Sequence, residues 1–147
     1  MKIVLQRVLE ADVVVDGQTI GSIGRGLLVF LGAEATDNEA LAEQLADKMA
    51  KLRIFADDEG RSNLSVTDIG GEILVVSQFT LCADTKKGNR PSFMQAAPPE
   101  MANALYEHFV EYCRPKFAKV EMGSFGADMK VRLVNDGPYT IILEATS

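Results

Sequence analysis

The sequence has few of the residues that most often build metal centres or nucleophilic active sites. It contains one histidine and two cysteines among 147 residues. Cys82 and Cys113 lack a C-x-x-C spacing, so neither a disulfide framework nor a zinc site is supported, and we expect reduced thiols. Cys82 has no histidine near it in the sequence and is expected to pack rather than react. We predict no metal and no cofactor.

The one histidine, His108, is the only ready-made base at neutral pH. It is offset from the apolar stripe of an amphipathic segment, so we expect a surface or half-buried helical histidine. A Ser-His-Asp triad is disfavoured because a long helix would have to bring His108 to the end of a distant strand.

Long hydrophobic runs are also absent. Every apolar run is far shorter than the roughly 20 residues that span a bilayer, and residues 1–4 predict a strand rather than a signal sequence. We therefore expect a soluble, cytoplasmic protein with no membrane partner. The length and the 47% hydrophobic content indicate a single domain over residues 1–147 with one buried core.

The chain lacks the excess of positive charge that dominates non-specific binding of nucleic acid, since its formal net charge is -6. The acidity is local. Residues 34–59 hold eight acidic and three basic residues, whereas residues 114–132 hold five basic and two acidic ones. The second region, taken as a whole, is a candidate basic patch, although ordinary solvated faces would give the same counts.

The pattern of short apolar runs predicts several strands and two helices. Asp16-Gly17 between apolar runs predicts a tight hairpin, and the run Leu27–Gly32 predicts a buried strand at the sheet centre. A capping box at Thr36–Glu39 predicts the start of one helix. Ala97–Glu100 predicts the start of a second helix, in which Met101, Leu105, Phe109 and Cys113 share one face.

One stretch combines a buried strand with a polar loop. The apolar run Ile73–Val76 is followed by Ser77-Gln78-Phe79-Thr80-Leu81 and then by a loop with Lys86, Lys87 and Arg90. Hydroxyls, an amide and cations within one segment suit a polar or phosphate-bearing ligand. The same hydroxyls would equally satisfy backbone groups at a strand end, so spacing alone leaves both interpretations open.

A second stretch, Asn135-Asp136-Gly137-Pro138, lies between the alternating run 129–134 and a final apolar run. Four good turn residues predict a hairpin turn. Gly137 permits unusual backbone angles and Pro138 permits a cis peptide bond, so a protruding element that recognises a ligand through its backbone is the alternative.

These stretches occur in an order that resembles the bacterial D-aminoacyl-tRNA deacylases. The likeness includes Ser77–Leu81, the loop through Arg90–Phe93 and the run Asn135–Pro138, and it extends from Gln6-Arg7-Val8 to the C-terminal strands. The resemblance implies an α/β protein of the α+β type. Its core would be a mixed, largely antiparallel sheet or barrel-like β structure packed with two main helices.

The resemblance also implies an activity. The protein would hydrolyse the ester of D-aminoacyl-tRNA, and of glycyl-tRNA mischarged on tRNA-Ala, by binding the aminoacylated 3′ end. Catalytic roles would fall to Thr80, Phe79, Ser77 and Gln78. Substrate-binding roles would fall to a further set of residues: Gly137, Pro138, Met129, Phe125, Ala127, Arg7, Lys86, Arg90 and Pro91.

Several mechanistic expectations follow from the same resemblance. Gly137 and Pro138 would reject L-amino acids by steric collision. The ribose hydroxyl of the substrate would assist hydrolysis, with Thr80 as an orienting group or, alternatively, as a nucleophile. The enzyme would be a homodimer with a cross-subunit active site. Tyr139 departs from the small aliphatic residue usual after Gly-Pro, which affects only the expected substrate preference. The alternative function is a non-catalytic domain that binds the tRNA acceptor end or a small molecule.

Overall fold

The computed structural model describes all residues from 1 to 147. Eight strands and two α-helices follow one another along the chain: β1 (Lys2–Val15), β2 (Gln18–Ile23), β3 (Gly26–Gly32), α1 (Glu39–Lys51), β4 (Phe55–Ala56), β5 (Ser62–Leu64), β6 (Glu72–Ser77), α2 (Pro99–Cys113), β7 (Val120–Met122) and β8 (Lys130–Glu144). Short 3-10 turns cover Phe79–Cys82 and Arg114–Lys116.

The first strand organises the sheet. β1 pairs antiparallel with β2, β3 and β8, whereas β3 with β6 and β6 with β7 pair in parallel. α1 lies on the connection from β3 to β6, and α2 lies on the connection from β6 to β7. β4 and β5 form a separate two-stranded sheet. The prediction of a mixed, largely antiparallel, barrel-like core with two helices is confirmed.

Both faces of the central strands are covered, which explains their continuous apolar sequences. In β3, Leu27 and Val29 belong to a core cluster of 27 residues that includes the helices, while Leu28 belongs to a second cluster of seven residues. In β6, Ile73 and Val75 belong to the large cluster, and Leu74 and Val76 to the small one. Successive side chains in a strand point to opposite faces, so an unbroken apolar run requires a core on each side.

The predicted hairpin between β1 and β2 is present. Asp16 and Gly17 have φ angles of 49° and 77°, as the two central residues of a tight two-residue hairpin require. β3 occupies the middle of the strand order, as predicted.

α1 begins within the predicted stretch Thr36–Glu39, but its capping residue differs from the prediction. The cap is Asn38, whose side-chain oxygen accepts a hydrogen bond of 3.0 Å from the Leu41 backbone N–H, so the helix begins at Glu39 and not at a capping box on Thr36. Asp37 does not cap because its carboxylate is engaged elsewhere: one oxygen is 2.6 Å from the Met1 ammonium group and the other accepts from the Glu34 N–H.

The start of α2 at Pro99 agrees with the prediction, and Leu105, Phe109 and Cys113 are buried along one face while Met101 is half-buried. His108 is half-buried between the helices, with Nε2 3.0 Å from a carboxylate oxygen of Glu43. This agrees with the predicted helical position. Neither helix combines the length and the apolar character that crossing a membrane would require.

The predicted hairpin turn at Asn135–Pro138 is wrong. β8 runs antiparallel to β1 on both sides of this segment, so the chain does not reverse there. Where β1 advances from Gln6 to Val8, β8 covers Asn135 to Thr140, and the additional residues bulge out of the ladder. The residues Asn135–Pro138, whose types are typical of turns, are part of this bulge.

We predict that Gly26 is essential for the β3–β6 pairing. A Cβ atom on Gly26 would lie 1.8 Å from the backbone oxygen of Glu72, whereas one on Gly24 would approach nothing closer than the Glu72 carboxylate at 3.6 Å. Gly26→Ala should lower the free energy of unfolding by about 3 kcal/mol or more, because backbone must move. Gly24→Ala is the matched control and should change it by about 0.5 kcal/mol at most. Urea unfolding measures both, and equal midpoints would contradict the prediction.

Candidate active site

A cavity of about 660 Å³ opens beside the end of β6. This volume lies within the usual range of ligand pockets, roughly 300–1,000 Å³. Six of the predicted residues line it: Ser77, Gln78, Phe79, Phe125, Ala127 and Met129. The fold therefore brings to one cavity residues that the family resemblance named in two separate segments, one at Ser77–Phe79 and one at Phe125, Ala127 and Met129.

The end of β6 is held in place by backbone contacts. The Gln78 N–H donates to the Leu31 carbonyl, and the chain then enters the 3-10 turn Phe79–Cys82. The Gln78 side-chain amide donates to the Thr80 hydroxyl. Thr80 is exposed and does not line the cavity itself. Its hydroxyl is therefore linked to the cavity wall by the hydrogen bond from the lining residue Gln78.

The mouth of the cavity is aromatic. Phe79 is 53% exposed and meets Phe93 edge to face, with ring centroids 5.1 Å apart. Met94, the next residue, is 92% exposed. Large apolar side chains in such positions commonly mark a surface that contacts a ligand or a partner.

The remaining wall was missed by sequence reasoning. It consists mostly of small or rigid residues at the start of α2: Ala96, Ala97, Pro98, Pro99 and Ala102. The segment is tied to the residues after β3, because the Ala97 N–H donates to the Ala33 carbonyl and the Ala35 N–H donates to the Gln95 carbonyl. The sequence signalled only a helix start here, since alanine and proline are equally common at helix starts that line no cavity.

No side chain at the cavity has the surroundings of a strong base or nucleophile. His108 is paired with Glu43 between the helices and does not line the cavity. Cys82 is buried, its thiol donates to the Ala33 carbonyl, and burial raises the pKa of this thiol, so it is a packing residue as predicted. Asp128 lines the cavity but is solvent-exposed and paired with Lys130. No group of three His, Cys, Asp or Glu side chains is arranged to hold a metal ion.

Gly137 and Pro138 lie away from the cavity. They are exposed in the bulge of β8, their peptide bond is cis, and neither lines the cavity. Arg7 holds the same bulge: its guanidinium donates to the carbonyls of Asp136 (3.0 Å) and Gly137 (3.3 Å), and to that of Ile54 (2.6 Å). The predicted residues Arg7, Gly137 and Pro138 thus form a second group.

The candidate basic patch at residues 114–132 is neutralised in the fold. Each of its cations has a carboxylate partner, in the pairs Arg114–Glu111, Lys116–Asp47, Lys119–Glu121, Lys130–Asp128 and Arg132–Asp12. The sequence could not reveal this, because two of the partners come from β1 and α1. The suggestion that this region is the basic surface is therefore wrong.

Three of the seven Lys and Arg side chains without a carboxylate partner lie in the loop that follows the cavity's strand. Lys86, Lys87 and Arg90 form no ion pair, and all are exposed together with Pro91. The loop is closed at its base by two backbone hydrogen bonds between Asp84 and Ser92, and it leads directly to Phe93 at the cavity mouth. None of these loop residues lines the cavity.

Comparison with known proteins gives a consistent result. The family model described as D-Tyr-tRNA(Tyr) deacylase matches residues 4–144. A protein of Thermotoga petrophila named D-aminoacyl-tRNA deacylase is 58% identical, over 99% of this chain and 98% of its own. One of the same name from Roseiflexus castenholzii is 60% identical, over 99% of this chain and 92% of its own.

Solved structures agree with the fold. A structure named c-Myc DNA Unwinding Element Binding Protein superposes with a TM-score of 0.94 at 43% identity and full coverage of both chains. A structure of a probable eukaryotic D-amino acid tRNA deacylase has a TM-score of 0.83 over 97% of each chain; at 19% identity, this likeness concerns the fold alone. With the family match over nearly its whole length, the chain belongs to the D-aminoacyl-tRNA deacylase family.

Proposed function

We propose that this protein hydrolyses the ester that joins a D-amino acid to the terminal ribose of tRNA, releasing free D-amino acid and tRNA. The observation that carries the proposal is the cavity at the end of β6, where Ser77, Gln78 and Phe79 meet the 125–129 segment. Family membership supplies the substrate class. Glycyl-tRNA mischarged on tRNA-Ala is a second substrate, because glycine has no side chain to exclude.

The chemistry suits a cavity without a strong base. An aminoacyl ester is already activated, and the neighbouring ribose hydroxyl helps a water molecule add to the ester carbonyl before the other ribose oxygen leaves. The protein supplies position and hydrogen-bond donors. The Phe79 and Thr80 N–H groups open the 3-10 turn, where the first donors have no acceptor within the turn, so they remain available for the developing oxyanion.

Rejection of L-amino acids is assigned to Gly137 and Pro138. Carbonyl groups of this bulge would accept hydrogen bonds from the α-ammonium group, and an L side chain would then collide with the protein. Arg7 already donates to the Gly137 carbonyl, and a carbonyl oxygen accepts a second hydrogen bond. Arg7 is therefore assigned a positioning role, since its donors are directed at carbonyls of this chain.

Because the bulge does not reach the cavity of its own chain, we propose that a second copy supplies it. Gly137 contacts Arg7 and Asn135 of its own chain, which do not line the cavity, and no cavity-lining residue comes from beyond residue 131. β8 pairs with β1 alone and leaves its other edge open, and the side chains of Val134 and Ile142 on this strand are exposed. Long open edges of this kind favour association, and a two-fold homodimer would complete both sites reciprocally.

The acceptor end of tRNA would lie over the loop with Lys86, Lys87 and Arg90. These cations have no carboxylate partner, so they can contact phosphate at a lower desolvation cost than the paired ones. A local group of this kind resolves the conflict between an RNA substrate and a net charge of -6. Since charged tRNA is consumed in translation, the proposed location is the cytoplasm.

The first prediction concerns chirality. Matched D- and L-aminoacyl-tRNA should differ sharply in ester loss, with the D-ester and the glycyl ester cleaved and the L-ester preserved. Acid-precipitable label measures the reaction, and spontaneous hydrolysis without protein is the control. Equal rates for both enantiomers would refute the proposal. Binding without turnover would support the alternative, a non-catalytic domain for the tRNA acceptor end.

The second prediction separates the two roles of Thr80. Thr80→Ala removes one hydrogen bond and should slow cleavage by roughly tenfold or less. Replacing the ribose hydroxyl of the substrate by hydrogen should cost roughly a hundredfold or more, because it removes the assisting group. Thr19→Ala, on the exposed face of β2, is the matched control. Complete loss of turnover in Thr80→Ala, with a trapped acyl-enzyme on the wild type, would establish Thr80 as the nucleophile.

The third prediction concerns the shared site. One variant is inactivated within Phe79–Thr80, and another has Gly137 and Pro138 replaced by alanine. Refolded alone, each should be inactive; refolded together in equal amounts, they should recover roughly a quarter of the wild-type sites, because half of the dimers are mixed and each mixed dimer has one intact site. Tags of different mass confirm mixed dimers. Persistent inactivity in confirmed mixed dimers would exclude a cross-subunit site.

A further inference from the structure

The small β4–β5 sheet has no role in the proposed chemistry, yet it contacts the bulge that carries Gly137 and Pro138. The Tyr139 hydroxyl donates to the Ser62 hydroxyl on β5 at 2.6 Å. The carbonyl of Ile54, the residue immediately before β4, accepts from Arg7 at 2.6 Å. Two side chains that contact the bulge are thus bonded to this sheet or to the residue that precedes it.

The Tyr139 side chain is fixed at two points. Its hydroxyl is held by Ser62, and its ring lies under the Arg7 guanidinium, whose carbon is 4.6 Å from the ring centroid. Since a guanidinium over an aromatic face is attracted to it, the position of the ring and the position of Arg7 depend on each other. Arg7 in turn orients the carbonyls of Asp136 and Gly137.

The two ends of the bulge are therefore held by different contacts. At its start the Asn135 side-chain amide donates to the Arg7 carbonyl (2.9 Å) and, across the bulge, to the Tyr139 carbonyl (3.2 Å). At its end only the Tyr139 side chain connects it to β5. A Cβ placed on Gly137 would meet only the Asn135 side chain within 4 Å, so the bulge is held by the hydrogen bonds of Arg7 and Asn135 rather than by close packing around Gly137.

We propose that Tyr139 and Ser62 form a positioning pair that sets the direction of the Gly137 carbonyl and thereby the discrimination between D- and L-aminoacyl esters. The pair acts through Arg7 and the backbone of residues 136–139, without touching the substrate. This inference rests on the proposed function, because D-over-L discrimination exists only if the protein cleaves aminoacyl esters. The hydrogen bond between Tyr139 and Ser62 is a property of the fold, so its effect on the bulge is measurable without any substrate.

The test compares Tyr139→Phe, Ser62→Ala and the double variant. Each single change removes the same hydrogen bond, so each should lower the D-over-L ratio of kcat/KM by roughly three- to tenfold, and the double variant should be no worse than either. Ser62 is exposed, so its replacement leaves the core intact. Tyr112→Phe is the matched control, because its hydroxyl bonds Asp47 between the helices.

Hydrogen–deuterium exchange of residues 133–141 gives the second readout. Exchange should rise in Tyr139→Phe and Ser62→Ala and stay at the wild-type level in Tyr112→Phe. Failure of the wild type to cleave D-aminoacyl-tRNA would refute the proposed function. The exchange pattern would still show whether the hydrogen bond between Tyr139 and Ser62 restrains the bulge. An unchanged ratio in both single variants, an equal loss in Tyr112→Phe, or unchanged exchange would overturn the inference.

Discussion

The pairing of β1 with β8 is the constraint on which the rest of the structure depends. β1 uses one edge for β8 along almost its whole length and the other for β3 and β2 in turn, so it connects every part of the main sheet. The ladder continues on both sides of residues 135–139. The additional residues therefore have no partners in it and protrude next to Arg7. A turn-like sequence thereby becomes an exposed bulge on a long strand.

The same ladder separates the two groups of residues on which the proposed activity relies. The bulge stands at β8, whereas the cavity is built from the end of β6, the start of α2 and the 125–129 segment. Within one chain the two groups of residues therefore do not meet, and under the proposed function each is half of a site. A symmetric pair of chains would bring each half-site to its complement, and the open edge of β8 provides a surface for such a pairing.

The cavity has a limited chemical inventory, and this limits what the protein itself must do. The only histidine of the chain pairs with Glu43 between the helices and does not line the cavity, and both cysteines are buried. What remains is a fixed strand end, backbone donors and an apolar wall. Such a set is adequate for an activated ester whose own ribose assists the reaction, where positioning contributes much of the rate. Ion pairing also confines the free cations next to the cavity to one loop, so a net acidic protein presents a small basic surface.

The sequence by itself determined the strands with two covered faces, the Asp16-Gly17 hairpin and the start of α2, because local patterns of apolar, glycine and proline residues decide these features. Through family resemblance it also named Ser77, Gln78 and Phe79 and the separate group Phe125, Ala127 and Met129 as site residues, and the fold brings both groups to one cavity. The start of α1 lies within the predicted stretch Thr36–Glu39, although the capping residue is Asn38 and not Thr36.

Only the tertiary structure decided which features act together. Asn135–Pro138 has the composition of a hairpin turn, and its actual form depends on the register of β8 against β1, which no local window contains. The charges of residues 114–132 are cancelled by partners on other elements, and the contact between Tyr139 and Ser62 joins positions that the sequence keeps far apart. Contacts of this kind depend on how the fold brings distant segments together, so composition and local spacing do not predict them.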